Sequence, residues 1–218
     1  MRWLRPASLL LPAAFAVHAA AADLETQHAV DVTLPLKSKL DLILHSRIRI
    51  QPGGLGLYQV RAGPIVSWNA TGRMALLGGY YYAQQERKAD RDFIAGHRLF
   101  SGAEVAVAGN RRLGFDQRAL VERLLSVAAP DFNRYRFRSR LSVKAPVAPY
   151  TSHEFFFDAQ GWRSARHSAG IRWSPVRGVQ IDLGYLYEHR RLDVGGNRHL
   201  WLTSLHFKKS SRRADPDL

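Results

Sequence analysis

The sequence predicts an all-β protein, a transmembrane antiparallel β-barrel of about 10–12 strands preceded by a cleaved signal peptide. Three observations carry that expectation. In Arg134-Tyr135-Arg136-Phe137-Arg138-Ser139-Arg140-Leu141, arginine occupies every second position. Strand side chains alternate between two faces, so the charge falls on one side and Tyr135, Phe137 and Leu141 fall on the other. Lipid outside and a polar lumen inside satisfy both faces, whereas a soluble sandwich has no reason to bury four arginines in a row. The second observation is an export signal: Arg2 and Arg5 are followed by the short apolar run Ala7 to Val17 and by Ala20-Ala21-Ala22 before Asp23. The third is the regular recurrence of strand-like segments between turn residues.

Taken in order, those segments run at about 25–36, 39–50, 57–69, 73–87, 97–108, 114–127, 134–145, 151–159, 163–174, 179–191 and 198–208. In the first, Val30, Val32, Leu34 and Leu36 share one face, opposite Asp31 and Thr33. In the tenth, Val179, Ile181, Leu183, Tyr185 and Tyr187 lie opposite Gln180, Asp182, Gly184 and Glu188. In the last, Trp201, Thr203, Leu205 and Phe207 form the lipid-side edge. The separators are Lys37-Ser38-Lys39, Gln51-Pro52-Gly53-Gly54, Thr71-Gly72, Gln160-Gly161, Pro175-Val176-Arg177-Gly178 and Gly195-Gly196-Asn197, clusters of the kind that close hairpins. Tyr58, Trp68, Tyr80, Tyr82, Trp173 and Trp201 lie towards segment ends, where aromatic girdles belong. Bacterial barrels normally have an even strand number. The expectation is therefore ten strands, with 25–36 outside the wall, or twelve, with one strand more. Counting back from the C-terminus assigns the tips at 51–56, 88–96, 130–133, 160–162 and 193–197 to the extracellular side.

The domain plan is a signal peptide at 1–22, a barrel at 23–208 and a charged, disordered tail at 209–218. There is no cysteine, which excludes disulfides, thiolate metal sites and cysteine nucleophiles. The formal charge is +14. Such a balance is common in nucleic-acid binders, but here the basic residues are dispersed through β-patterned segments, so a basic lumen or a rim meeting lipid phosphates is the expectation, with no nucleic acid. No segment after the signal is apolar over the ~20 residues of a membrane-spanning helix, whereas barrel strands need only ~9–11.

The second half resembles the bacterial outer-membrane barrels catalogued as domain of unknown function 2490. The residues that carry the resemblance are Gln117-Arg118 through Glu122-Arg123, Arg134 to Arg140, Glu154-Phe155, Arg166 to Trp173 with Gly170, and Gly184-Tyr185. It covers about 90–208 well and the first strands loosely. The resemblance implies a barrel in the outer membrane and brings no established activity. Phe207 suits the terminal aromatic that the barrel-insertion machinery reads, although residues 208–218 continue beyond it.

With Tyr135 and Phe137 facing lipid, Arg134, Arg136, Arg138 and Arg140 face the lumen. Arg118, Glu122, Glu154 and Asp158 match the same inward face on the flanking segments. Opposite charges at neighbouring positions form a salt-bridge ladder, and Asp182 and Glu188 add neutralising charge. The functional expectation is a structural barrel or a narrow channel for small anionic solutes, because a barrel of this size lies between filled barrels and open porins. The alternatives are a lipid- or lipopolysaccharide-modifying hydrolase and an exported barrel that binds a lipophilic ligand. A hydrolase needs a serine and a base within reach. Ser204 and His206 share a face but point inward, while Ser46 and Ser168 are thrown opposite their neighbours His45 and His167. Asp90 and Asp92 are too few for calcium, and the paired glycines precede no helix that could bind phosphate. No cofactor or metal is expected. The expected partners are outer-membrane lipid, lipopolysaccharide and the insertion machinery.

Overall fold

The computed structural model describes residues 24–52, 56–86, 92–127 and 130–209. The expected signal peptide, residues 210–218 of the tail and Asp90 lie outside them. Eleven strands form the wall: β1 (Leu24–Lys37), β2 (Leu40–Ile50), β3 (Leu57–Asn69), β4 (Met74–Glu86), β5 (Phe93–Gly109), β6 (Leu113–Ser126), β7 (Phe132–Val143), β8 (Val147–Asp158), β9 (Gly161–Val176), β10 (Val179–Arg190) and β11 (Arg198–Lys208). Each pairs with its chain neighbours, and β1 closes the barrel against β11.

That closure corrects the even count. The segment at 25–36 is a wall strand, and β1 pairs with β11 in parallel, from Leu24↔His199 to Thr33↔Lys208. Every hairpin reverses direction, so an odd number of strands must leave the first and last running the same way. Leu24 and Lys208 consequently lie at opposite rims. Glu25 pins the seam at one end: its carboxylate takes hydrogen bonds from Arg198 Nε at 2.6 Å and Tyr58 Oη at 2.5 Å. Tyr58 is thus buried inside the barrel, which corrects its assignment to an outer aromatic girdle.

The turns at the Lys208 rim are tight and set by local chemistry. Thr71 Oγ1 accepts from the backbone of Arg73 and Met74, and Asn110 Oδ1 accepts from Arg112 and Leu113. Both are the side-chain-to-backbone bonds that fix short turns. Gly178, with φ 82°, supplies the left-handed residue of another. Four of the five connections at the Leu24 rim are longer, β8 and β9 being joined through Ala159-Gln160 alone, and one includes a 3-10 turn at Leu192–Val194.

Alternation sorts the wall. Val66, Leu99, Val121, Phe137, Ile171 and Trp201 stand exposed on the outer surface. The inner surface carries the charge together with an apolar cluster of Tyr81, Phe100 and Leu120 flanked by Ile65 and Leu77. Glycine makes room for this filling: a Cβ on Gly79 would lie 2.4 Å from the Phe100 ring, and one on Gly102 would lie 2.0 Å from the carbonyl oxygen of Ala119. Phe156, Leu200 and Glu122 are fully buried, so side chains occupy the middle of the barrel.

Candidate functional site: an arginine-lined cavity

Arg134, Arg136, Arg138 and Arg140 alternate with exposed Tyr135, Phe137 and Leu141 along β7 and extend inward. Their acids come from several strands. Glu122 of β6, with no exposed surface, takes Arg134 at 2.5 Å, Arg136 at 2.7 Å and Arg98 of β5 at 3.8 Å. Arg136 also reaches Glu154 of β8 at 2.7 Å and so ties the two carboxylates together. Arg118 meets Glu154 at 3.2 Å, while Arg166 of β9 lies 4.0 Å from Glu154 and 3.0 Å from Glu188 of β10. The guanidinium groups of Arg134, Arg136 and Arg166 lie 4.5–5.1 Å from the centre of the Phe156 ring, close enough for cation–π attraction. Ion pairs and one aromatic ring together make a waist across the lumen.

The other expected partners are distributed differently. Arg138 binds Glu104 at 2.9 Å and Asp116 at 3.0 Å, although Glu154 is its direct ladder neighbour. Arg140 crosses to Asp182 on β10 at 3.5 Å, where Arg172 also binds at 3.3 Å. Glu188 pairs with Arg166 rather than with the β7 row. Asp158 sits at the Leu24 rim, bound by Arg163 at 2.9 Å and by Arg191 at 3.6 Å. At the same rim, hydrogen bonds from Arg191 hold the Asp193 carboxyl below the usual carboxylate range.

Above the waist the lumen opens towards the Leu24 rim as a cavity of about 1220 Å³. Among the described residues, ten arginines and four carboxylates line it. Several of those arginines were missed in the reading of the sequence: Arg47, Arg49, Arg61, Arg98, Arg190 and Arg198. A signal was available for two of them. Arg47-Ile48-Arg49-Ile50 repeats the alternation of β7 over a shorter stretch, and Arg61 lies directly opposite Arg47 in the β2–β3 ladder.

The histidines have partners of their own. His45 Nδ1 and His206 Nδ1 lie 2.6 Å and 3.0 Å from the two oxygens of Asp31 across the β1 seam. His153 and His167 meet on the outer wall, Nδ1 to Nδ1 at 2.8 Å. Neither arrangement includes a serine. Among the described residues no group of three or more His, Asp or Glu is arranged to hold a metal ion.

No curated protein matches the chain. The model of the family described as a protein of unknown function, DUF2490, matches residues 28–198. That span runs from within β1 to the first residue of β11 and takes in the whole arginine-rich interior, so the chain belongs to the DUF2490 family.

Proposed function

We propose that the protein is an outer-membrane barrel whose lumen is a narrow passage for small anionic solutes. The observation that carries this is the excess of arginine over carboxylate around the cavity at the Leu24 rim. Fixed cationic charge in a concave, low-dielectric wall concentrates anions and excludes cations. The waist of Arg134, Arg136, Glu122 and Glu154 then acts as a constriction.

The membrane assignment rests on the outer wall. Its exposed residues are predominantly apolar, from Leu44 and Val66 round to Phe155 and Trp201. The shortest strands have 11 residues, and at a barrel tilt near 45° that length spans about 26 Å, the height of the apolar band of such barrels. The greater length of four of the five connections at the Leu24 rim suits the extracellular side. For the hydrolase reading, among the described residues His153 is partnered by His167 and His206 by Asp31 and Asp182, with no serine hydroxyl hydrogen-bonded to either as a nucleophile would be.

The test is single-channel recording of the detergent-folded protein in a planar bilayer under a potassium chloride gradient. The expected result is a small conductance whose reversal potential favours chloride, and which Arg138→Glu lowers or turns towards potassium. Cation preference in the wild type, or silence from protein shown to be folded by circular dichroism, would refute the passage.

A further inference from the structure

Most arginines of the cavity are matched to a carboxylate, those of β7 and β9 and also Arg98 and Arg198 among them. Arg190 of β10 is in no ion pair among the described residues but is only partly buried. Arg47 and Arg49 of β2 and Arg61 of β3 are unmatched as well. Among the described residues, none of the three has a carboxylate within ion-pair distance. Arg47 Nη2 donates to Gln59 Oε1 at 2.7 Å, and Arg49 Nε donates to Gln27 Oε1 at 2.9 Å. Arg61 Nη2 lies 2.9 Å from His45 Nε2, with its guanidinium 4.2 Å from the centre of the Tyr81 ring.

All three are more than nine-tenths buried, with 9%, 3% and 7% of their surface exposed. Arg47 and Arg61 are directly opposed in the ladder, a placement that like charges disfavour. The Nε groups of both are buried without an acceptor. A buried cation left unpaired is costly, and here three share one wall of a cavity that opens to the rim.

We infer that Arg47, Arg49 and Arg61 form a receptor for the phosphoryl group of an organic phosphate that enters from the Leu24 rim. This rests on the reading of the lumen as anion-receiving and assigns the site and the ligand class within it. Guanidinium groups pair bidentately with both carboxylate and phosphate. A carboxylate has two oxygens, whereas a phosphate monoester presents three and carries close to two charges, which suits three neighbouring guanidinium groups on one wall. The cavity of about 1220 Å³ is far larger than a bare phosphate ion requires, and Ile94, Leu124 and Phe132 on its wall offer apolar contact to the organic remainder.

Stability provides the test. The urea midpoint of the detergent-folded full chain is measured in chloride, acetate, inorganic phosphate and glycerol 3-phosphate at constant ionic strength. Wild type should gain midpoint in the two phosphates over acetate and chloride. Arg47→Gln/Arg61→Gln should lose that gain while unfolding in chloride at or above the wild-type midpoint, because the mutual repulsion has gone. Arg61→Lys, which keeps the charge and loses the fork, should retain less than half of the gain, and Arg112→Gln, in the exposed turn at the opposite rim, should retain all of it.

Repeating the titration in phosphatidylcholine vesicles with and without phosphatidic acid identifies the source of the phosphoryl group. A glycerol 3-phosphate gain abolished by phosphatidic acid assigns the site to a lipid head group, and an unchanged gain assigns it to a free solute. No phosphate-specific gain in wild type, or one that survives Arg47→Gln/Arg61→Gln, would overturn the inference. The anion preference measured by conductance would stand or fall separately.

Discussion

Glu122→Gln isolates the charge at the waist. Glutamine keeps the volume and one acceptor oxygen, so the variant removes charge without opening a cavity. Glu122 has no exposed surface and holds Arg134 and Arg136 at 2.5 Å and 2.7 Å, with Arg98 at 3.8 Å. Arg136 retains Glu154, but Arg134 retains only the face of Phe156. One strongly coupled buried pair is therefore broken outright, and breaking such a pair costs about 3–5 kcal/mol. A Coulomb estimate agrees: at ~4 Å between charge centres and an effective dielectric near 20, one pair contributes about 4 kcal/mol. The assay is urea unfolding of vesicle-folded protein followed by the fluorescence of the outer-wall residues Trp68, Trp173 and Trp201. The expected result is a lower midpoint with an unchanged denaturant slope. Adding Arg134→Met to the variant should recover at least ~1 kcal/mol, since neighbouring sites couple on that scale. A loss below ~1 kcal/mol for Glu122→Gln, with no recovery in the double variant, would refute the view that this carboxylate neutralises the waist.

Three further outcomes follow from the wall itself. Gly102→Ala puts a methyl group 2.0 Å from the Ala119 carbonyl oxygen and 2.8 Å from Leu120 Cα, so it should cost about 1–3 kcal/mol or prevent closure of β5 on β6. Gly72→Ala, with no atom within 4 Å, should stay within ~0.5 kcal/mol of wild type in the same urea titration. Phe137, 51% exposed on the outer face, separates lipid from water as the surrounding solvent. Phe137→Arg should destabilise the vesicle-folded barrel by about 2–4 kcal/mol if that face meets hydrocarbon, and an effect near zero would contradict the membrane assignment.

Much of the wall was legible in the sequence. Segment positions from alternation and turn residues lie within a few residues of the observed strands, the largest differences being β5, which begins at Phe93 rather than near 97, and β8, which begins at Val147 rather than near 151. The strand count was misread because the even-number rule was given more weight than the pattern in 25–36, whose alternation of Val30, Val32, Leu34 and Leu36 is as regular as any. Tyr58 was misassigned because the register shifts between Arg49 and Ile50 in the β2–β3 ladder. A bulge of this kind changes which face a residue occupies, and periodicity alone does not reveal it.

Between bulges, the sequence by itself determined which residues lie on which face, because a pleat of period two sorts them locally and needs no knowledge of the neighbouring strand. It also determined that one face would be rich in arginine. Only the tertiary structure decided which acid answers which arginine. Arg140 reaches Asp182, 42 residues away on β10, and Arg138 reaches Glu104 on β5, since a closed wall curves non-adjacent strands towards one another and long side chains span the gap. The same closure paired β1 with β11 in parallel and left Arg47, Arg49 and Arg61 hydrogen-bonded to Gln59, Gln27 and His45 rather than to carboxylates. A list of charges carries no information about that separation, because it is the path of the chain around the barrel that distributes the acids.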